Sequence, residues 1–352
     1  MPVRFRENIK TMTPYKPPLE GRASKGYLLL DFNEMTTEPG QEVKDSLHTF
    51  IDSKRLQVYP EYGTINSVVA EYAKCKPEEV LLTNGSDQGI DVVFRAFLNK
   101  GDTVIIPSPS FAMFYQTAFL QDAKIVKPRY RENDFSFPFE EVLALLDEKP
   151  KLLVLCNPNN PTGTQISPEE VQKLLEKARD NEVAVLCDEA YFEFSGITAR
   201  EFLSEFDNLF ISRTLSKQFG LVSTRIGYLL SQSSNIEQLL KIRGPYDVNM
   251  FAKTALEAAL QNPGYSKSYI AEVMERSKPM LENFFKERGV KFFPGAANFL
   301  LIQPENPQKI LQTLEAEGIL IRPREDPAGT IRVSIGTLGD TERFIKAYAK
   351  AL

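Results

Sequence analysis

Lys217 sits among small hydroxyl residues in Thr214-Leu215-Ser216-Lys217, directly behind the apolar run Leu209 to Ser212. An amine at a strand end is well placed to form an imine with an aldehyde cofactor. Taken alone, such a lysine is more simply a solvated residue. It does not stand alone. Asp188-Glu189-Ala190-Tyr191 closes another buried-looking strand, Val183 to Cys187, with a carboxylate followed three residues later by a phenol. Pyridoxal phosphate needs a lysine for its aldehyde, an anion to keep its ring nitrogen protonated, and donors for its phenolate and phosphate oxygens. The sequence contains each of these groups.

Three further stretches supply the donors. Gly85-Ser86-Asp87 places backbone N–H groups and a hydroxyl at a helix start, where the macrodipole favours an anion, although a helix cap alone also explains these residues. Ser216 and Arg225 add a hydroxyl and a fixed cation for the same phosphate. Asn157-Pro158-Asn159-Asn160-Pro161-Thr162-Gly163 is stiffened by two prolines and follows an apolar strand, which puts Asn160 where it can donate to a ring oxygen; a tight surface turn is the simpler alternative. Phe111 offers either an aromatic face to a flat ring or a packing residue.

The elements that must position these residues follow from periodicity. Strands are expected at Val80 to Thr83, Thr103 to Ile106, Lys124 to Val126, Leu152 to Leu155, Val183 to Cys187 and Leu209 to Ile211. Helices are expected between them at Ile90 to Leu98, Phe111 to Leu120, Glu140 to Leu146 and Pro168 to Asp180. Such alternation implies an α/β fold with a mainly parallel sheet flanked by helices, and ligands bind beyond the carboxyl ends of its strands. The motifs above fall at those ends and so form one site. Residues 1–40 read as an arm and a small-domain segment, 41–245 as a large domain, and 246–352 as a smaller α+β domain beginning with long helices.

Composition narrows the function. The 352 residues carry a net charge of −5, which gives no support to nucleic-acid binding. His48 is the only histidine, so neither a histidine-based zinc site nor a Ser/His/Asp triad fits in one chain, and no metal is expected. Cys75, Cys156 and Cys187 are widely spaced and predict no disulfide. Met1 to Lys10 is polar and lacks the apolar core of a signal peptide, so the cytoplasm is the expected location.

Asn157 to Gly163, Asp188 to Tyr191, Ser216-Lys217 and Arg225-Ile226-Gly227-Tyr228, in this order, resemble fold-type-I pyridoxal-phosphate aminotransferases. Thr13-Pro14-Tyr15, Val58-Tyr59-Pro60, Asn84 to Asp87, Asn298-Phe299 and Arg332-Val333-Ser334-Ile335-Gly336 narrow the resemblance to the histidinol-phosphate aminotransferase group, over nearly the whole chain. The resemblance implies that Lys217 forms the internal aldimine, Asp188 pairs with the pyridinium nitrogen, and Tyr191 and Asn160 contact the ring oxygen. It assigns Gly85, Ser86, Asp87, Thr214, Ser216 and Arg225 to the cofactor, mostly at its phosphate, and brings Tyr59 from the partner subunit of a homodimer. Phe111 stands where the family commonly has a stacking tyrosine. Tyr15, Asn33, Asn160, Arg322 and Arg332 are assigned to the substrate.

Histidinol phosphate and 2-oxoglutarate are the implied substrates, in histidine biosynthesis with ping-pong kinetics. An aromatic or other amino-acid aminotransferase, or a decarboxylase acting on a phosphorylated amino acid, remains open. Two stretches depart from the family pattern: Asn33-Glu34-Met35-Thr36-Thr37-Glu38-Pro39 in place of asparagine-glutamate-asparagine-proline, and Leu221-Val222-Ser223-Thr224 after the lysine in place of a run rich in glycine or alanine.

Overall fold

A computed structural model describes residues 3–352. In it twelve strands form two sheets: β1 (Leu28–Leu30), β2 (Val80–Thr83), β3 (Thr103–Ile105), β4 (Lys124–Val126), β5 (Leu152–Cys156), β6 (Ala184–Asp188), β7 (Leu209–Thr214), β8 (Gly227–Leu230), β9 (Lys291–Phe293), β10 (Phe299–Gln303), β11 (Ile319–Arg324) and β12 (Thr330–Ser334). The larger sheet runs β2-β8-β7-β6-β5-β3-β4, parallel from β7 to β4. Only β8 is antiparallel to both its neighbours. The smaller sheet runs β1-β11-β12-β10-β9, with β1 parallel to β11 and the other pairs antiparallel.

Continuous apolar runs make the central strands of the larger sheet, because both faces are covered. Every residue of β5, β6 and β7 is buried. Their side chains alternate between two cores. Leu153, Leu155, Val185, Cys187, Leu209 and Ile211 enter one, while Leu152, Val154, Cys156, Ala184, Leu186 and Phe210 enter the other. Helix Pro168–Asp180 covers the first of these faces with Val171, Leu174, Leu175 and Ala178, and it starts from a Ser167–Glu170 capping box with proline in its first turn. The third core belongs to the smaller sheet, and Tyr191 and Phe194 from the segment after β6 pack into it.

Strand β8, which periodicity missed, spans four residues and shows no alternation that would set it apart from its surroundings. Its first residue must be glycine. A Cβ on Gly227 would lie 2.6 Å from the Arg213 carbonyl oxygen and 2.8 Å from the Ser86 nitrogen, so β8 packs directly on β7 and on the start of helix Gly85–Phe97.

Chain beyond the expected change of architecture at 245/246 also contributes to the first core. Helix Met250–Gln261 sends Ala252, Ala255, Leu256 and Ala259 into the larger unit's core, because the apolar face of that helix meets the helices Gln41–Asp52 and Ile65–Ala73 there. The long helices expected at the start of 246–352 continue as Gly264–Glu272 and Lys278–Glu287, joined by a π turn at Val273–Ser277. The N-terminal arm contains a short helix, Glu7–Thr11, that the sequence reading did not anticipate.

Candidate active site

The carboxyl ends of β5, β6 and β7 open into a cavity of about 630 Å³ that also reaches β11, β12 and the arm. Lys217, Asp188, Tyr191, Asn160, Ser86, Asp87, Phe111, Thr214, Ser216, Arg225, Tyr15, Arg322 and Arg332 all line it. Residues separated by more than three hundred positions in sequence thus share one wall.

Lys217 follows β7, and its Nζ donates to the Phe32 carbonyl at 2.9 Å. Burial, and next the positive charge of Arg332, lowers its pKa to about 8. Asp188 ends β6 with one carboxylate oxygen accepting from the Ala190 N–H at 3.0 Å. Burial pushes its carboxyl up to about 7, so burial disfavours its charge and a cation beside it would restore that charge. Tyr191 Oη accepts from Asn33 Nδ2 at 2.9 Å, which leaves the phenol proton for a partner in the cavity. Asn160 Oδ1 accepts from Arg332 Nη1 at 2.6 Å, so its NH2 group stays available.

Helix Gly85–Phe97 begins one turn earlier than the expected Ile90, so Gly85, Ser86 and Asp87 form its first turn rather than a preceding loop. No side chain caps it: Asn84 makes no cap bond, and Gln88 Oε1 instead accepts from the Asn84 N–H at 2.6 Å. The first-turn N–H groups therefore remain open to an anion. Arg225 fixes the far side of this cradle in the left-handed conformation (φ 56°), donating to the Val222 carbonyl at 3.1 Å and to Asp87 at 3.1 Å. A Cβ on Gly85 would meet Arg225 Nη2 at 2.8 Å. Thr214 Oγ1 and Ser216 Oγ, 3.0 Å apart, add two hydroxyls. A buried carboxyl, a lysine amine, two free donors and an uncapped helix start flanked by an arginine fit pyridoxal phosphate group by group.

Asn33 and Tyr59 are not on this wall, as is expected of Tyr59 if it serves the partner subunit. Asn33 is fully buried behind Tyr191 rather than on the cavity wall, because Ser334 Oγ donates to its side-chain oxygen at 3.0 Å while its own amide holds the phenol. Its amide holds the Tyr191 hydroxyl, which does line the cavity. Tyr59 is 73% exposed, stacks on Tyr246 with ring centroids 4.6 Å apart, and is not part of its own chain's cavity wall.

The family model described as aminotransferase class I and II matches residues 25–347. The chain belongs to the class I and II aminotransferases. This aminotransferase is 32% identical to the histidinol-phosphate aminotransferase of Caldanaerobacter subterraneus subsp. tengcongensis over 92% of each chain, and 33% identical to histidinol-phosphate aminotransferase 1 of Carboxydothermus hydrogenoformans over 100% of this chain and 99% of that one. Its fold matches the Sinorhizobium meliloti histidinol-phosphate aminotransferase solved with pyridoxal-5'-phosphate, at a TM-score of 0.89 and 21% identity over 100% of this chain and 98% of that one. The expected fold-type-I architecture and the pyridoxal-phosphate dependence of the aminotransferase both stand.

The sequence reading missed Arg324, Glu34 and Cys156 as wall residues of the aminotransferase cavity. Arg324 was within reach of it, since residues two apart on a strand share a face and Arg322 was already assigned. Glu34 is taken up by Arg22, whose Nη2 donates to it at 2.6 Å.

Proposed function

We propose that this enzyme transfers the amino group of histidinol phosphate to 2-oxoglutarate, giving imidazole acetol phosphate and glutamate in histidine biosynthesis. The observation that carries this reading is the set of three arginines, Arg322, Arg324 and Arg332, on the wall of the same cavity as Lys217, which suits a substrate anion carried close to the reacting carbon. Curated relatives that carry the name of this activity at 30–33% identity support it.

Pyridoxal phosphate, when bound, supplies an aldehyde that takes up the amino group and a ring that draws electrons from the substrate carbon. The first-turn N–H groups of Gly85, Ser86 and Asp87, with Thr214, Ser216 and Arg225, hold its phosphate in this reading. Asp188 pairs with its ring nitrogen, Asn160 and Tyr191 donate to its ring oxygen, and Phe111 covers one face. Lys217 Nζ, held near 8 by burial, is partly neutral at neutral pH and carries the proton away from and back to the substrate carbon. Arg332, fixed by its bonds to Asn160 and to the Asp31 carbonyl at 2.6 Å each, orients the substrate anion. Because one site serves donor and acceptor in turn, the kinetics are ping-pong.

The assembly in this reading is a homodimer with shared sites, the partner subunit's Tyr59 reaching the cofactor phosphate. Leu56, Val58, Tyr59 and Tyr246 are all exposed in the single chain, which favours a second copy covering them. Sedimentation at the monomer mass would remove this part.

The test of the substrate is titration of the holoenzyme's visible absorption with histidinol phosphate, glutamate and phenylalanine in turn. Bleaching by histidinol phosphate and glutamate is the expected result. A response to glutamate and phenylalanine alone would replace the donor, and carbon dioxide release without need of a 2-oxo acid would replace the reaction.

A further inference from the structure

Strand β11 carries Arg322 and Arg324 two residues apart, hence on one face, and the β11/β12 register sets Arg322 directly opposite Arg332. All three line the cavity. Like charges directly opposite on neighbouring strands repel, so this arrangement costs the sheet stability unless something neutralises it.

The protein itself does not. Among the described residues none of the three arginines is in a salt bridge, and three of the nearby carboxylates have other partners. Glu34 belongs to Arg22, Asp87 to Arg225, and Asp326, two residues beyond Arg324, accepts from Arg129 at 2.9 and 3.0 Å. Arg332 bonds only neutral oxygens, and the Nε atoms of both Arg332 and Arg324 are buried with no partner. Burial and the neighbouring arginines lower the pKa of Arg332 and Arg324 alike, the mark of cations short of an anion.

We propose that Arg324 is a specificity residue of the anion subsite, the third cation that makes the cavity favour a doubly charged phosphomonoester over a singly charged carboxylate. This rests on the substrate reading above. One carboxylate has two oxygens and one charge, which Arg332 alone can satisfy in a fork, and the two carboxylates of glutamate sit on separate carbons, so neither presents a dianion. A phosphomonoester dianion presents three oxygens and nearly two charges, enough for all three guanidinium groups. A merely structural Arg324 would affect every donor alike.

The experiment compares Arg324→Gln and Arg324→Lys with the native holoenzyme, using histidinol phosphate and glutamate as donors and inorganic phosphate as an inhibitor of the glutamate half-reaction. Arg324→Gln is expected to raise KM for histidinol phosphate about tenfold, with kcat changed far less, as for loss of one hydrogen-bonded cation. The increase for glutamate should be at least threefold smaller, and Arg324→Lys, which keeps the charge but not the fork, should fall between. The native preference for histidinol phosphate above pH 6, where its phosphate loses its second proton, should flatten in Arg324→Gln. Equal effects on both donors, or none on either, would overturn the proposal. If the native enzyme does not use histidinol phosphate, the substrate reading fails separately, and phosphate inhibition then decides. A roughly tenfold weaker inhibition in Arg324→Gln supports a phosphate-selective Arg324, and an unchanged inhibition constant overturns it.

Discussion

The two ends of the cavity are built on opposite principles. At the cofactor end, each charged group either has a protein partner or is disfavoured as an ion: Arg225 is paired with Asp87, Asp188 is pushed towards its neutral form, and Lys217 is partly discharged. At the substrate end, three guanidinium groups stand on one wall without a carboxylate in salt-bridge contact among the described residues. The first end suits a resident group whose charges complement the site once and remain. The second is left electrostatically unfinished, so that a transient anion completes it on arrival and the completed interaction is lost when product leaves. Burial serves both ends, lowering the local dielectric so that each added charge is felt strongly.

The largest effect that would sharpen this contrast is expected from Lys217→Ala. Turnover with every donor should fall on the order of 10⁴-fold or more, together with the lysine-dependent visible band, because the proton carrier and the cofactor tether vanish together. Retention of substantial turnover would break the assignment of the cofactor end. Asp188→Asn comes next and reads out stability as well as activity. Folding raises the Asp188 pKa from 3.8 to about 7, so the folded apoprotein binds more protons than the unfolded chain between those values. Its stability at this group is therefore greatest at low pH and declines as pH rises through that window. The asparagine variant escapes this penalty, and its apoprotein should melt above the native one at pH 7.5, with the advantage shrinking towards pH 4. Thermal melts of both apoproteins at the two pH values check this, and a parallel dependence in the two would show that Asp188 is charged in the fold. Both effects should exceed the roughly tenfold change expected of Arg324→Gln, which is confined to the other end. Smallest of all is Tyr59→Phe, which removes the hydroxyl proposed to reach the cofactor phosphate of a partner subunit and should weaken cofactor retention by about tenfold or less, measured by dilution of the holoenzyme.

The cofactor end was legible in the sequence because its residues ride on local units. Each parallel strand is an apolar run, its carboxyl end is marked by a polar turn, and the functional residue falls within a few positions of that end: Asn160 after β5, Asp188 at the end of β6, Lys217 after β7. Apolar periodicity marks helix Gly85–Phe97 only from Ile90, since glycine, serine and aspartate are weak helix formers that carry no apolar pattern. Strand β8 was hidden for a related reason. It exists because Gly227 lets it lie against β7 and the Ser86 backbone, a packing fact with no periodicity.

What the sequence by itself determined is the chemistry: the lysine, the carboxylate, the phosphate-ready helix start and the order in which they occur, all fixed by short-range patterns that survive without knowing the fold. What only the tertiary structure decided is who faces whom. Asn33 meets Tyr191 because Ser334, from 301 positions away, holds its other side. Arg324 joins the wall because β11 pairs with β12 in the register that sets Arg322 against Arg332, while Arg22 and Arg129 claim the nearby acids. Charge balance in a buried site is a sum over elements distant in sequence, and only their packing fixes which charges enter it.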